Sequence, residues 1–399
     1  MNSLSFLQSN DSITNDPNSL HLVHVVRRYG PVGGMERYVW ELTLQLRQLG
    51  HRVTVICERC HSRKLPGITV IELGEVTPRP RWIAALRFAH SVAVWLHDNP
   101  QPNSIIHSHE RIYSHDISTF HGSVFASVKQ KPWWHLISLR IPMQLFLEKR
   151  ELIKPAYIVP NSQYIKQQLA YYYPSVANKL TEPVTPGVSV VNVREVRSVP
   201  ADGGVVGFVG EEWKRKGLPL AVAIVKQLRL SRPELQFFVV GPASSAVKFL
   251  FSDWKSGYVL KEWDGQINYS EFDVLLHPAK SEPYGMVISE AMAARVPVVI
   301  SDVCGASVDV TPGAGSILSL SSSLNAWVDA LEHQLSRSEP VPQFSRSWHK
   351  VAYEYEQVYR SFASQMNFVS PDTTEPQSVV LVQDVAIHSA VHISPPKTR

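Results

Sequence analysis

The chain has 399 residues, enough for about two domains, with 44% hydrophobic and 19% charged residues, the balance of a soluble globular protein. A net charge of +4 is too mild to single out nucleic acid as a partner. Three cysteines exclude a disulfide framework and fit a reducing cytoplasm, and no stretch approaches the ~18 apolar residues of a membrane span.

Residues 1–19 read as a disordered leader, polar and without the basic start and apolar core of a signal peptide. HLVHVV then reads as a buried strand, and MERYVWELTLQLRQLG as an amphipathic helix ended by Gly50. HRVTVIC, ITVIEL and NSIIHSH are further strands, and RWIAALRFAHSVAVWLHD is a helix. AYIVPNS is a strand whose Ser162 can cap the helix QYIKQQLAYYY. This alternation defines a first domain over 20–195, running into the Pro- and Val-rich linker TEPVTPGVSVVNVREVRSVPADGG.

The alternation restarts in a second domain over 196–345. VVGFVG, LQFFVVG, FDVLLHP and VPVVIS are strands, while GLPLAVAIVKQLRL, MVISEAMAA and SLNAWVDALEHQL are helices. A last helix, WHKVAYEYEQVYRSFA within 346–366, is expected to pack back toward the first domain. Residues 367–399 read as a mostly disordered tail. Alternating apolar strands and helices imply parallel, doubly wound sheets, so the fold class is α/β with two Rossmann-like domains facing each other across a cleft.

Three motifs lie where such sheets bind ligands. In YGPVGGMER, Gly33 and Gly34 stand between a strand and a helix, where bare backbone and a helix N-terminus favour an anion. The spacing is not GxGxxG, which argues against a dinucleotide-dependent dehydrogenase. In VGEEWKRKG, Arg215 and Lys216 sit between a strand and a helix and suit a phosphate. In SEPYGMVISE, a helix is expected to start near Gly285 or Met286, with the free N–H groups of Met286 and Val287 pointing at an anion. Glu282 precedes that helix and Glu290 lies inside it. Both can accept hydrogen bonds from sugar hydroxyls, one from a transferred sugar and the other from a ribose.

With GGMER, VGEEWKRKG, SEPYGMVISEAMA and VPVVISD in this order, the chain resembles the retaining glycosyltransferases of family 4, which have the GT-B fold. The resemblance covers nearly everything between the tails. It implies that the glycine loop and the helix after Glu282 hold a diphosphate, that Arg215 and Lys216 neutralise it, that Glu290 binds ribose, and that no metal or other cofactor is needed. Within the family, ERIYSHDISTFHGSV and the KRKG form of the basic pair are most like bacterial lipopolysaccharide core glucosyltransferases. Two departures are Arg295, where a glycine is usual, and SDVCGASVDV, which lacks the usual glycine pair and glutamate; Asp309 is therefore set aside as a site residue.

By the same resemblance, IIHSHERIYSHDISTFHG faces the acceptor, and His109 or Asp116 could orient its hydroxyl or take its proton. His107, His109 and Asp116 include metal-ligand types, but no compact third-ligand motif appears and no metal is expected. Over 129–154, Trp133 and Trp134 lie among lysines and arginines on an amphipathic segment. A membrane interface and a core helix broken by Pro142 read equally well from the residues, and a lipid-linked acceptor would favour the former. CERC reads as a strand end.

The expected activity is transfer of a hexose, glucose in the first place, from a UDP-sugar to a lipopolysaccharide core or similar lipid-linked saccharide, in the cytoplasm, with residues 129–154 as the candidate contact with the inner-membrane surface. GDP-mannose, a UDP-N-acetylhexosamine or ADP-heptose are alternative donors. A non-catalytic nucleotide-sugar-binding protein and a glycoside hydrolase are the rival classes; a hydrolase would leave the basic pair and the glycine loop without a task.

Overall fold

The computed structural model describes residues 18–366 except Lys64, 76–80, 131–137, Leu139, Val190, Val191, Asp264 and Gln266. The expected leader before Asn18, the tail from 367 on, and Trp133 and Trp134 lie outside the described residues.

The first half runs β1 (His21–Val25), β2 (Arg28–Tyr29), α1 (Gly34–Gln48), β3 (Arg52–Cys57), β4 (Arg59–Cys60), β5 (Ile68–Glu72), α2 (Arg81–Asp98), β6 (Ser104–Ser108), β7 (Ile117–Phe120), α3 (Arg140–Ile153), β8 (Tyr157–Pro160) and α4 (Gln163–Tyr172). The second runs β9 (Val205–Val209), α5 (Leu218–Leu228), β10 (Gln236–Gly241), α6 (Ser244–Val247), β11 (Tyr258–Glu262), β12 (Val274–His277), α7 (Met286–Ala293), β13 (Val298–Ser301), β14 (Gly315–Leu318), α8 (Leu324–Ser336) and α9 (Trp348–Gln365).

Each half is built on a six-stranded sheet, ordered β5-β3-β1-β6-β7-β8 in the first and β11-β10-β9-β12-β13-β14 in the second. Numbered within its own half, each sheet reads 3-2-1-4-5-6, and every neighbouring pair is parallel. This is the doubly wound order, in which ligands bind beyond the carboxyl ends of the strands where the order reverses. Those points lie between β1 and β6 in the first half and between β9 and β12 in the second.

Helices cover both faces of each sheet, so the central strands are largely buried; all four residues of β12 and of β13 are buried. In the first half, α1 and α9 share one core, with Tyr38, Leu42 and Leu46 against Trp348, Val351, Ala352, Tyr355 and Tyr359. The last helix of the chain thus completes the core of the first half. The Tyr38 hydroxyl donates to that of Tyr355 at 2.9 Å. The linker is fastened along its length: Val184 N–H donates to Pro160 O at 3.0 Å, Val188 N–H to Arg346 O at 2.8 Å and Arg194 N–H to Ala294 O at 3.0 Å.

Three strands of the two six-stranded sheets escape the sequence patterns. β11 and β14 are sheet edges with exposed, partly polar residues, as edges commonly are. β7 is central but carries Ser118 and Thr119, whose hydroxyls bond the side chains of Glu151 and Tyr355. CERC closes β3 at Cys57 and supplies β4, and both thiols are free. α3 carries Pro142 in its first turn, where a missing N–H costs nothing, so the helix is not broken there. Its inner face holds Glu148 and Glu151 on Arg111, and its outer face exposes Phe146 and Ile153. No helix among the described residues is long and apolar enough to cross a membrane.

Gly217 shows how closely the second half is packed below its cleft. It starts α5 with φ +82°, and a Cβ there would stand 1.9 Å from the Pro278 carbonyl oxygen. Gly217→Ala is expected to cost about 1–3 kcal/mol for the backbone conformation and more for the overlap, read as a lower urea midpoint. An unchanged midpoint would show that β12 and α5 are not so closely apposed.

Candidate active site

The second half brings its motifs together at the carboxyl ends of β9 and β12. Gly210 follows β9 with φ +142°, and a Cβ there would lie 2.1 Å from Cδ of Lys216. Its bare backbone makes room for the lysine to lie across the strand end. Beyond β12, the chain from Ser281 to Tyr284 is zipped onto the loop after β13. Gly305 N–H donates to Glu282 O at 3.0 Å, and Ala306 N–H to Tyr284 O at 2.8 Å. Gly285, at φ +98°, turns the chain into α7 with no side chain capping it. The first N–H groups of α7, on Met286 and Val287, have no acceptor within the helix, an arrangement that suits an anion.

Glu282 is the electrostatic centre. It is only 6% exposed, and one carboxylate oxygen meets Lys216 Nζ at 3.2 Å, His277 Nε2 at 3.2 Å and Arg215 Nη1 at 3.3 Å. Burial alone would raise its pKa, but the Lys216 charge, the His277 hydrogen bond and the Arg215 charge together hold it well below the usual carboxylate range. His277 is itself pushed down from 6.5, chiefly by burial, so it meets Glu282 as a neutral ring donating from Nε2. Its Nδ1 is buried without a hydrogen-bond partner. Arg215 is fixed by a hydrogen bond from Nε to Glu212 at 2.8 Å and by one to the Ser281 carbonyl.

Glu290 lies deeper in the same wall, in α7. Its carboxylate accepts from the Tyr269 hydroxyl at 2.5 Å and pairs with Arg37 at 2.9 Å. Arg37 belongs to α1, so this ion pair joins the two halves. Two hydroxyl contacts join them again: Ser123 to Ser281 at 2.9 Å, and Ser162 Oγ donating to Pro283 O at 2.5 Å. Gly33 and Gly34 open α1 on the facing wall. A Cβ on Gly34 would meet nothing within 4 Å, so the fold does not require glycine there; a close-lying ligand would. Glu36 in the same turn is held by Arg28.

The residues expected to serve the acceptor are placed differently. Asp116 stands before β7, at the amino end of that strand, where its carboxylate accepts from Ile106 N–H at 2.8 Å and ties β7 to β6. His109 is 3% exposed and lies between His24 and His121. His121 is half-buried and follows β7 at its carboxyl end, the end that borders the cleft in a doubly wound sheet. Asp309 accepts from the Tyr284 hydroxyl at 2.9 Å, a structural task. Sequence reasoning missed Arg37, Tyr269 and His277. His277 could have been suspected from its place at the end of a buried strand, beside SEPYG.

Residues 32–191 match the profile described as Glycosyltransferase Family 4, and residues 203–337 match that of Glycosyl transferases group 1. Together the two matches cover both halves and their cleft-facing motifs. The chain is a glycosyltransferase, with a family 4 domain in its first half and a group 1 domain in its second. The transferase is 23% identical over 347 residues to the glycogen synthase of Mycobacterium tuberculosis, covering 72% of this chain and 79% of that one. It is 26% identical over 213 residues to the D-inositol 3-phosphate glycosyltransferase of Corynebacterium urealyticum; this match spans 45% of the chain and about half (49%) of the relative. In fold it is similar to WaaG, a glycosyltransferase involved in lipopolysaccharide biosynthesis, with a TM-score of 0.69 and 16% identity over 88% of this chain and 100% of that one. The two facing Rossmann-like halves are the GT-B architecture.

Because the folded pKa of Glu282 is depressed, the stability it contributes is present above its unfolded pKa near ~4.3 and is lost as pH falls below that value. Glu282→Gln should therefore melt lower than the native protein at pH 7, with the gap closing as pH falls below about 4. A gap constant from pH 7 to pH 3 would show that the carboxylate is not held ionised by its neighbours.

Proposed function

We propose that this transferase moves a hexose, glucose in the first place, from a UDP-sugar to a lipopolysaccharide core or similar lipid-linked saccharide, with retention of anomeric configuration and without a metal. The observation that carries the reading is the buried, ionised Glu282, set among Lys216, Arg215 and His277 beside the open N-terminus of α7. A hydrolase acting on neutral sugars has no use for two cations and a helix N-terminus at one point.

In this reading the donor diphosphate lies between the Gly33–Gly34 turn and the N–H groups of Met286 and Val287. Lys216 and Arg215 take up the charge that grows on the leaving diphosphate as the sugar–phosphate bond breaks, with no protein nucleophile. Glu282 accepts hydrogen bonds from the sugar. Glu290 accepts from the ribose, which requires the ribose hydroxyls to share or displace Arg37 or Tyr269. A cavity of about 400 Å³ beyond β10 and β11, lined by Glu211, Trp213, Gly241, Pro242, Glu262 and Trp263, supplies two flat rings for the nucleobase. Among similar folds, Anabaena HepE is described in complex with UDP-glucose. Closure of the halves through Arg37, Ser123 and Ser162 aligns donor and acceptor and excludes water. A lipid-bearing acceptor suits the outer face of α3, where Phe146 and Ile153 stand among Lys149, Arg150 and Lys154. In this reading the enzyme works in the cytoplasm, against the membrane surface.

Two measurements test this. Lys216→Ala is expected to lower kcat for nucleotide release roughly 10²–10³-fold, the usual effect of removing one group that stabilises transition-state charge; unchanged turnover would overturn its role. UDP-glucose should raise the melting temperature more than UDP-galactose, UDP-N-acetylglucosamine, GDP-mannose or ADP-heptose. Stabilisation by a GDP- or ADP-sugar alone would replace the donor, and silence across the set would favour a non-catalytic protein.

A further inference from the structure

Four histidine rings run through the first half beside its switch point, and donor binding as described uses none of them. His24 is on β1, His107 is paired with it on β6, His109 follows β6 and His121 follows β7. His107 is a closed unit, with Nδ1 2.7 Å from the Tyr359 hydroxyl and Nε2 2.7 Å from that of Thr119. The other three form a chain. His24 Nδ1 is 3.1 Å from His109 Nε2, and His109 Nδ1 is 2.9 Å from His121 Nε2. At the inner end, His24 Nε2 is buried without a partner. At the outer end, Nδ1 is the remaining nitrogen of half-buried His121, close in sequence to the Ser123 contact with Ser281.

A neutral imidazole has one N–H and one lone pair, so the chain has two self-consistent arrangements. With protons pointing inward, the last N–H is on His24 Nε2 and is stranded in the core. With protons pointing outward, His24 Nδ1–H donates to His109 and His109 Nδ1–H donates to His121. The core then keeps only an unused lone pair, and His121 carries its N–H on Nδ1. Buried N–H groups without an acceptor are rarer than under-used acceptors, which favours the outward arrangement. Charging the inner rings offers no escape, because burial pushes His24 down to about 3 and lowers His107 and His109 well below 6.5.

We propose that the His24–His109–His121 chain locks His121 as its Nδ1–H tautomer, so that a neutral hydrogen-bond donor faces the cleft. A free histidine side chain favours the Nε2–H form, and the chain imposes the rarer one. His24 and His109 are positioning residues. Only the identity of what the donor meets, a sugar hydroxyl or a phosphate oxygen, rests on the function proposed above. The competing use of these rings is a metal ion, since His24, His107 and His109 bring ligand nitrogens within 4.8 Å of one another. Such an ion would have to take a nitrogen of His107 from Tyr359 or Thr119, and one of His109 from its neighbouring ring.

The test is long-range proton–nitrogen correlation NMR on the full chain labelled with 15N-histidine, with His121 assigned by loss of its signals in His121→Asn. The native protein should show His121 protonated on Nδ1. His24→Leu should release it to the Nε2–H form, while His24→Asn, whose side-chain amide can donate from the same place, should retain Nδ1–H. In nucleotide-release kinetics, His24→Leu should lower kcat about tenfold at little-changed donor KM, the effect of one neutral hydrogen bond, and His24→Asn should recover most of it. An Nε2–H His121 in the native protein, or a metal ion retained in stoichiometric amount, would overturn the proposal. The native spectrum decides even if His24→Leu does not fold. It also decides for a protein that turns out to transfer nothing, so the two readings can fail separately.

Discussion

A carboxylate taken out of water must be met by positive charge, and the cleft of the second half is organised around meeting Glu282. Desolvation of such a group is expensive, and the pairing repays it only when the geometry is good and other hydrogen bonds share the load. Lys216, Arg215 and His277 converge on one oxygen of Glu282 within 3.3 Å. Each depends on a feature elsewhere. Lys216 needs the bare backbone of Gly210, Arg215 needs Glu212 and the Ser281 carbonyl, and His277 needs the end of β12. The loop that carries Glu282 is fixed in turn by its bonds to Gly305 and Ala306.

The arrangement suits a dianionic ligand. The cations are already assembled and partly neutralised by Glu282, so the diphosphate proposed above would meet a preorganised site rather than two free side chains. Such preorganisation is what makes charge stabilisation effective in a dry cleft. The second carboxylate, Glu290, is used differently: it holds Arg37 of the facing half, and so makes the separation of the halves sensitive to whatever else Glu290 binds. The return of α9 to the core beside α1 gives the halves a second, apolar connection that does not pass through the cleft.

The first half contributes shape and polarity more than charge. Its switch point is filled by histidine and tyrosine rings whose nitrogens and hydroxyls satisfy one another. Such a network is rigid when complete, and each member constrains the next. His109 is a link in that network, one ring behind the cleft, and Asp116 is a brace between β6 and β7. The segment that reads as an acceptor-facing loop is therefore largely core, and His121 is its cleft-side end.

The sequence alone determined the two α/β halves, because strands covered on both faces must be apolar and their helices must be amphipathic. It also marked Gly33, Gly34, Arg215, Lys216, Glu282 and Glu290 as candidates, because bare backbone and charge at a strand–helix turn are local in the chain. What only the tertiary structure decided is which groups meet across long separations. His24 and His109 are 85 residues apart, and Arg37 reaches Glu290 from the other half of the chain. Hydrophobic period and turn chemistry report a residue's own element and face. They do not report which side chain stands opposite once two sheets and a returning helix are packed together, and the contacts of His109, Asp116 and His277 were decided there.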